Sequence, residues 1–184
     1  MPSRAILALS IALAYLSAGR SIASEQQAWQ AIRSDAVFET GDTWNVGGQT
    51  YRLFGVQACL RGTFVTTKNG IRRDCGDLSL HMLTGLVKTW NPLCAVVGVN
   101  SSIKYVVCYA DIEVAGGLQR VELGTALISS GFAFAAQNSL GGPASISYWA
   151  AEQEAENNRA GLWAYPDLPN PNAVLLKALK KPMR

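Results

Sequence analysis

The chain has 184 residues, 49% hydrophobic and 16% charged, with 16 Lys and Arg against 13 Asp and Glu and a single histidine. That length is enough for one domain with a real core, and the apolar content without any low-complexity tract excludes disorder over most of it. The bases gather at the ends: residues 24–176 hold 10 Lys and Arg against 13 Asp and Glu, a net of −3, which argues against a dedicated binder of polyanions.

At the N-terminus Arg4 precedes an uncharged apolar run, Ala5 to Ala18, and the small residues Ser21 and Ala23 are spaced as signal peptidase requires. The run is shorter than the roughly 20 apolar residues of a membrane span. It reads as a secretory signal over residues 1–23, cleaved near Ala23, with an uncleaved anchor as the alternative. A mature protein outside the cytoplasm, periplasmic or secreted and not integral to the membrane, is the expectation.

Ser34 to Phe38 and Thr43 to Val46 read as short strands, and Gly47-Gly48 after them as a tight hairpin. Gln49 to Val56 alternates as a third strand. Residues 57–74 are polar and irregular, carrying Arg61, Lys68, Arg72 and Arg73 between two cysteines. Asp77 can cap a helix running to about Lys88, with Leu80, Leu83 and Val87 at helical spacing. His81 lies on that helix and reads as a surface or packing residue.

Leu93 to Val99 and Tyr105 to Ala110 read as strands. Arg120 to Ser130 is a second helix stopped by Gly131, Phe132 to Ala136 is extended, and Ser145 to Asn158 is a third helix. Pro166, Pro169 and Pro171 then break the structure. Asn172 to Lys181 is a short amphipathic basic helix or, on the simpler reading, a solvated tail. Pattern alone indicates an α+β fold with a mainly β core, in which a small five-stranded barrel, a sandwich and an open sheet all fit.

Four cysteines (Cys59, Cys75, Cys94 and Cys108) in an exported chain read as two disulfides with three connectivities open. A bridge from Cys59 to Cys75 would pin the basic loop, and Cys94 and Cys108 lie on neighbouring strands. No CxxC pair accompanies the single histidine, His81, which argues against zinc.

Three segments resemble the staphylococcal-nuclease-like (thermonuclease) family. GDTW (Gly41 to Trp44) with QTYRLFGVQA (Gln49 to Ala58) resembles the family's GDT strand, hairpin and RLxGIDAPE segment. VELGTALISSGFAFA (Val121 to Ala135) is similar to the helix ending ALVRxGxAxV, and YWAAEQEAENNRAGLW (Tyr148 to Trp163) to YxxAExxAxxxxxGLW. With the helix from Asp77 they cover roughly Phe38 to Trp163 in family order. The resemblance implies a five-stranded OB-fold barrel with three packing helices over residues 24–165, followed by a Pro-rich and basic tail over 166–184. Likeness to secreted bacterial members implies the pairing Cys59–Cys75 and Cys94–Cys108.

Such enzymes cleave phosphodiesters with one calcium ion, two aspartates, a glutamate near the attacking water and two arginines. Calcium needs several hard oxygen ligands, and metal and arginines stabilise the charge that develops on phosphate. Asp42 matches the first metal aspartate and Arg52 the first phosphate arginine. Gln57 replaces the second aspartate, and Leu60 stands where the glutamate belongs. SSIKY (Ser101 to Tyr105) replaces the stretch carrying the second arginine, leaving Lys104 as the nearest cation. Losing a general base alone costs about 10²–10⁴ in rate, and a lysine lacks the bidentate fork of arginine. Asp42 has a second reading as the acceptor of a strand turn, and Arg52 as a surface ion-pair partner of Asp42 or Glu39.

The departures imply a degraded calcium site and a non-catalytic or accessory protein of the periplasm or cell envelope, needing no cofactor. Small exported thermonuclease-like proteins also resemble one encoded among the genes for acidic exopolysaccharide (succinoglycan) production in rhizobia, which implies a part in exopolysaccharide biosynthesis. Its partner would then be an oligosaccharide or an envelope protein rather than nucleic acid. One alternative is an active or altered calcium-dependent phosphodiesterase using Asp42, Arg52 and Arg61. Another is a partner-binding module whose basic tail meets an acidic surface.

Overall fold

A computed structural model describes residues 28–138 and 140–180; the leader and its cleavage site lie outside the described residues. Eleven strands and four helices are ordered β1 (Gln30–Ala31), β2 (Val37–Thr40), β3 (Thr43–Val46), β4 (Gln49–Leu53), β5 (Val56–Ala58), β6 (Phe64–Thr66), β7 (Arg72–Asp74), α1 (Cys75–Trp90), β8 (Leu93–Asn100), β9 (Ile103–Val114), β10 (Gly117–Glu122), α2 (Leu123–Ser129), β11 (Ala133–Ala135), α3 (Ile146–Asn157) and α4 (Pro171–Lys180). A 3-10 turn at Gly161–Ala164 separates the last two helices.

The main sheet runs β1-β8-β9-β4-β3-β2, with β10 also paired to β9. Its chain path begins in the meander β2-β3-β4. Gly47 and Gly48 both adopt positive φ, +56° and +84°, the backbone a two-residue hairpin between twisted strands requires. β4 then pairs in parallel with β9, from Thr50 opposite Ile103 to Leu53 opposite Val106. The two edge strands, β1 and β2, are joined by residues 32–36 alone. So short a linker holds the sheet's edges within about 20 Å of each other, and the sheet is curled.

The concave face of the sheet and the helices share one core. Trp44, Leu53, Leu83, Val106, Leu127 and Ile128 are all buried in it. A smaller cluster of Cys59, Val65, Cys75, Phe134 and Leu162 lies beside it. The cysteines pair Cys59–Cys75 and Cys94–Cys108, the second across directly opposed residues of β8 and β9. Both bridges fit an oxidising compartment. Among the described residues no helix is long and apolar enough to cross a membrane.

The fold is therefore α+β around a curled open sheet, and several expectations from the sequence need correction. Residues 34–36 form a turn, and the strand begins at Val37. The expected strand over Gln49 to Val56 breaks at Gly55, whose φ is +72°, and continues as β5 in a separate pairing with β11. Part of the basic loop is the β6–β7 hairpin. The expected helix over Arg120 to Ser130 begins only at Leu123. Residues 117–122 pair instead with β9, and the Glu122 carboxylate caps the helix by accepting the Gly124 and Thr125 N–H groups at 2.9 and 2.7 Å.

Among the described residues four helices stand where three were expected, and residues 167–172 are anchored to the domain, while residues 173–178 of α4 are exposed. Asp167 accepts the Thr66 N–H at 3.0 Å, Leu168 packs on the smaller cluster, and the buried Asn172 amide donates to the Ala135 carbonyl at 3.0 Å.

Candidate functional site

Asp42 lies in the turn between β2 and β3, and Gly41 before it explains its placement. A Cβ at Gly41 would fall 2.5 Å from the Ser79 Cβ and 2.7 Å from its carbonyl carbon, so only glycine lets α1 close on this turn. Ser79 is fully buried and ties the region together. Its hydroxyl donates to the Phe132 carbonyl at 2.6 Å and accepts the Cys59 N–H at 3.2 Å.

The Asp42 carboxylate is 3% exposed and fully engaged. Oδ1 accepts the hydroxyls of Thr40 and Thr43 at 2.6 and 2.9 Å. Oδ2 accepts Arg52 Nε at 3.2 Å, Arg52 Nη2 at 2.9 Å and the Ala58 N–H at 3.2 Å. A carboxylate offers about four lone-pair positions, and five donors occupy them. Of the two ion-pair partners considered for Arg52, Asp42 is the one found.

Gln57 completes the network. Its Oε1 accepts Arg52 Nη2 at 2.8 Å, and its Nε2 donates to the Ala58 carbonyl at 2.9 Å. The amide thus takes the guanidinium edge that Asp42 leaves over. The chemistry of this set does not fit calcium, which takes 6–8 oxygen ligands with carboxylate charge among them. One carboxylate is present, its lone pairs are taken, and the neighbouring oxygen is a neutral amide turned to an arginine. Among the described residues no group of three or more His, Cys, Asp or Glu is placed to hold a metal.

Arg52 and Gln57 border a groove of about 390 Å³ whose other walls include Phe54, Tyr105, Asn138 and the α4 residues Leu175 and Leu176. Lys104 is not in it. In the β4–β9 register Lys104 stands opposite Tyr51 and Tyr105 opposite Arg52, and successive residues of a strand face opposite sides. Lys104 therefore points to the concave side, with its Nζ 5.7 Å from the centre of the Tyr51 ring. There it lines a different cavity of about 650 Å³ with Trp44, Tyr51 and Arg33. The expectation that Lys104 supplies a second cation beside Arg52 is corrected by this register.

Leu60 does not border the Arg52 groove; its carbonyl accepts the Thr63 hydroxyl at 2.6 Å in the turn after β5. Arg61 is turned away as well, pairing with Asp77 at 3.1 Å and donating to the Glu39 carbonyl at 3.1 Å. His81 is exposed, its Nδ1 2.7 Å from the Asp77 carbonyl.

Reading of the sequence missed Glu152. Tyr148, Glu152 and Ala155 are the buried residues of α3, and their helical spacing places a carboxyl in the stripe that faces inward. Burial pushes the Glu152 carboxyl up to about 7, helped by the charge of Glu156 and opposed by the hydrogen bond from the Ala135 N–H. That interruption of an apolar stripe was the available signal.

Compared with known proteins, the chain matches no family model and no curated protein.

Proposed function

We propose that this protein is an exported member of the thermonuclease-like family in which the phosphodiesterase site has become a structural ion-pair network. On this reading the curled sheet is an OB-fold barrel. The edge strands brought together by residues 32–36 and the parallel β4–β9 pairing support it. Export is supported by the two disulfides and by the apolar leader.

The observation that carries the loss of catalysis is the saturation of Asp42 by five donors, with Gln57 completing the clamp on Arg52. A carboxylate in that state has no lone pair to give a metal. Gln57, the side chain that shares Arg52 with it, is an amide and cannot activate water. The protein would act as an accessory or binding protein of the periplasm or cell envelope, and we place it in exopolysaccharide biosynthesis.

The test of the first part is incubation of the purified protein with denatured DNA and calcium, beside an Asp42→Asn variant. No cleavage above background is expected. Calcium-dependent cleavage that disappears in the variant would overturn the reading in favour of an active nuclease. For the process, deletion of the gene in its host should alter the amount or length of exopolysaccharide; an unchanged product would remove that assignment while leaving the first intact.

A further inference from the structure

A third cavity, of about 440 Å³, opens between the end of β11, α3 and the start of α4. Its walls are aromatic and polar together. Trp149 leaves 48% of its surface exposed, and Trp163 packs its ring on Phe134 with 5.3 Å between centroids. Glu152 and Glu156 supply carboxyls, and Gln137, Gln153, Asn170 and Asn172 supply amides. Among the described residues no lysine or arginine borders it.

The hydrogen-bonding capacity of these walls is largely unspent. Glu152 is 7% exposed, and its Oε2 accepts only the Ala135 N–H at a long 3.3 Å. Asn172 uses its Nδ2 on the Ala135 carbonyl, and Asn170 its Oδ1 on the Ala173 N–H, which leaves one end of each amide over. Beneath the wall, the Trp163 Nε1–H is closed to solvent and has no acceptor among the described residues, a state that costs about 1–3 kcal/mol. Natural cores carry few such groups, and each asks for an explanation.

We infer that this cavity between β11, α3 and α4 is a binding site for a neutral sugar ring, stacked on Trp149 and hydrogen-bonded by the Glu152 carboxyl and the surrounding amides. A pyranose presents an apolar C–H face to an indole and a rim of hydroxyls that both donate and accept. The cavity offers that pairing of an apolar plane with a mixed polar rim. Phosphate and carboxylate ligands are disfavoured by two carboxyls with no base among them. A purely apolar ligand would cover the free ends of these amides and carboxyls without pairing them.

Gln137 and Asn172 border both this cavity and the Arg52 groove, so the same two amides could serve successive rings of one oligosaccharide. The site is independent of the reading of Asp42 and of the cellular process. It is tested with purified protein alone, so its failure would leave both of those standing.

The experiment is an NMR titration that follows the indole Nε1–H resonances of the five tryptophans, with cellotetraose and maltotetraose as neutral probes, tetragalacturonate as an acidic probe and choline as a cationic one. At least one neutral probe is expected to bind with Kd of about 1 mM or tighter and to shift the Trp149 and Trp163 signals. Trp149→Ala, at a half-exposed position, should weaken that binding by about tenfold or more. Glu152→Gln, which keeps an acceptor for the Ala135 N–H, should weaken it severalfold. Lys104→Ala, in the cavity on the concave side of the sheet, should leave it unchanged. The assignment is overturned if neither neutral probe shifts the two indoles, if choline or tetragalacturonate alone does, or if Trp149→Ala binds as well as the parent.

Discussion

Asp42 and Arg52 show how one pair of residues can serve chemistry or structure according to what surrounds it. The pair is nearly enclosed, with side-chain exposures of 4% for Asp42 and 29% for Arg52. Removing one member strands the other together with the Ala58 N–H. Asp42→Ala should therefore cost about 3 kcal/mol of stability, measured by urea denaturation, with calcium present or absent making no difference. A calcium-dependent rise in stability of the parent protein would contradict this, because a ligand that binds only the folded state must stabilise it.

Glu152 carries the second residue-scale prediction. Its carboxyl is held near 7 in the folded protein against 4.5 for the ordinary group, so folding favours the protonated form. The associated stability is fully present below about pH 4.5 and is lost as pH rises through about 7. Between pH 5 and 8 stability should fall on the order of 2 kcal/mol from this group. Glu152→Gln should flatten that fall and make the variant the more stable protein at pH 8. Denaturation midpoints at the two pH values decide it. Tyr148 beside it is also held above its ordinary range by burial and by Glu122, which keeps it a neutral core residue at any working pH.

At the scale of elements, two glycines lock the end of α2 to the turn after α3. Gly131 and Gly161 both adopt positive φ, +75° and +53°, and the Leu162 N–H donates to the Gly131 carbonyl at 2.9 Å. A Cβ on Gly161 would overlap the Ser130 carbonyl and the Gly131 backbone, and one on Gly131 the Ala160 carbonyl. Backbone cannot move aside as a side chain can. Gly161→Ala should cost about 3 kcal/mol, visible as a lowered thermal midpoint, and a near-neutral result would show that the two turns can separate.

The start of α4 is held in a similar way by Asn172. Asn172→Ala, which leaves the Ala135 carbonyl without its donor, should cost about 1–3 kcal/mol. Were α4 a solvated appendage, the substitution would change nothing.

Across the whole molecule, the two disulfides sit in the two different clusters of the core, Cys59–Cys75 in the smaller and Cys94–Cys108 against the larger. Each closes a loop of about 15 residues, worth on the order of 3 kcal/mol in the chain-entropy account. Reduction should lower the thermal midpoint by about 10–20 °C, followed by circular dichroism with and without dithiothreitol. A shift of a degree or two would mean that packing alone holds the sheet curled.

Much of this architecture was legible in the chain itself. Gly47-Gly48 could only be a tight turn, because two successive positive φ values are cheap only for such residues. Helix α1 announced itself through Leu83 and Val87, but its cap is Asp74, which accepts the Asp77 N–H at 3.1 Å, and not Asp77 as the sequence suggested; that Gln57 and Leu60 bring no carboxyl was a matter of residue type. What tertiary structure decided is orientation. Lys104 looked like a neighbour of Arg52 in sequence, but pairing register determines which side of a sheet each residue faces, and a shift of one residue exchanges the sides. The same holds for Glu152 and Asn172. A polar residue within a helix or a proline-rich stretch reads as exposed until another element is seen to close over it. Residue types settled that Gln57 and Leu60 carry no carboxyl, and packing alone created the cavity lined by Trp149 and Glu152, because its walls come from successive segments between Ala135 and Asn172 that must first fold against one another.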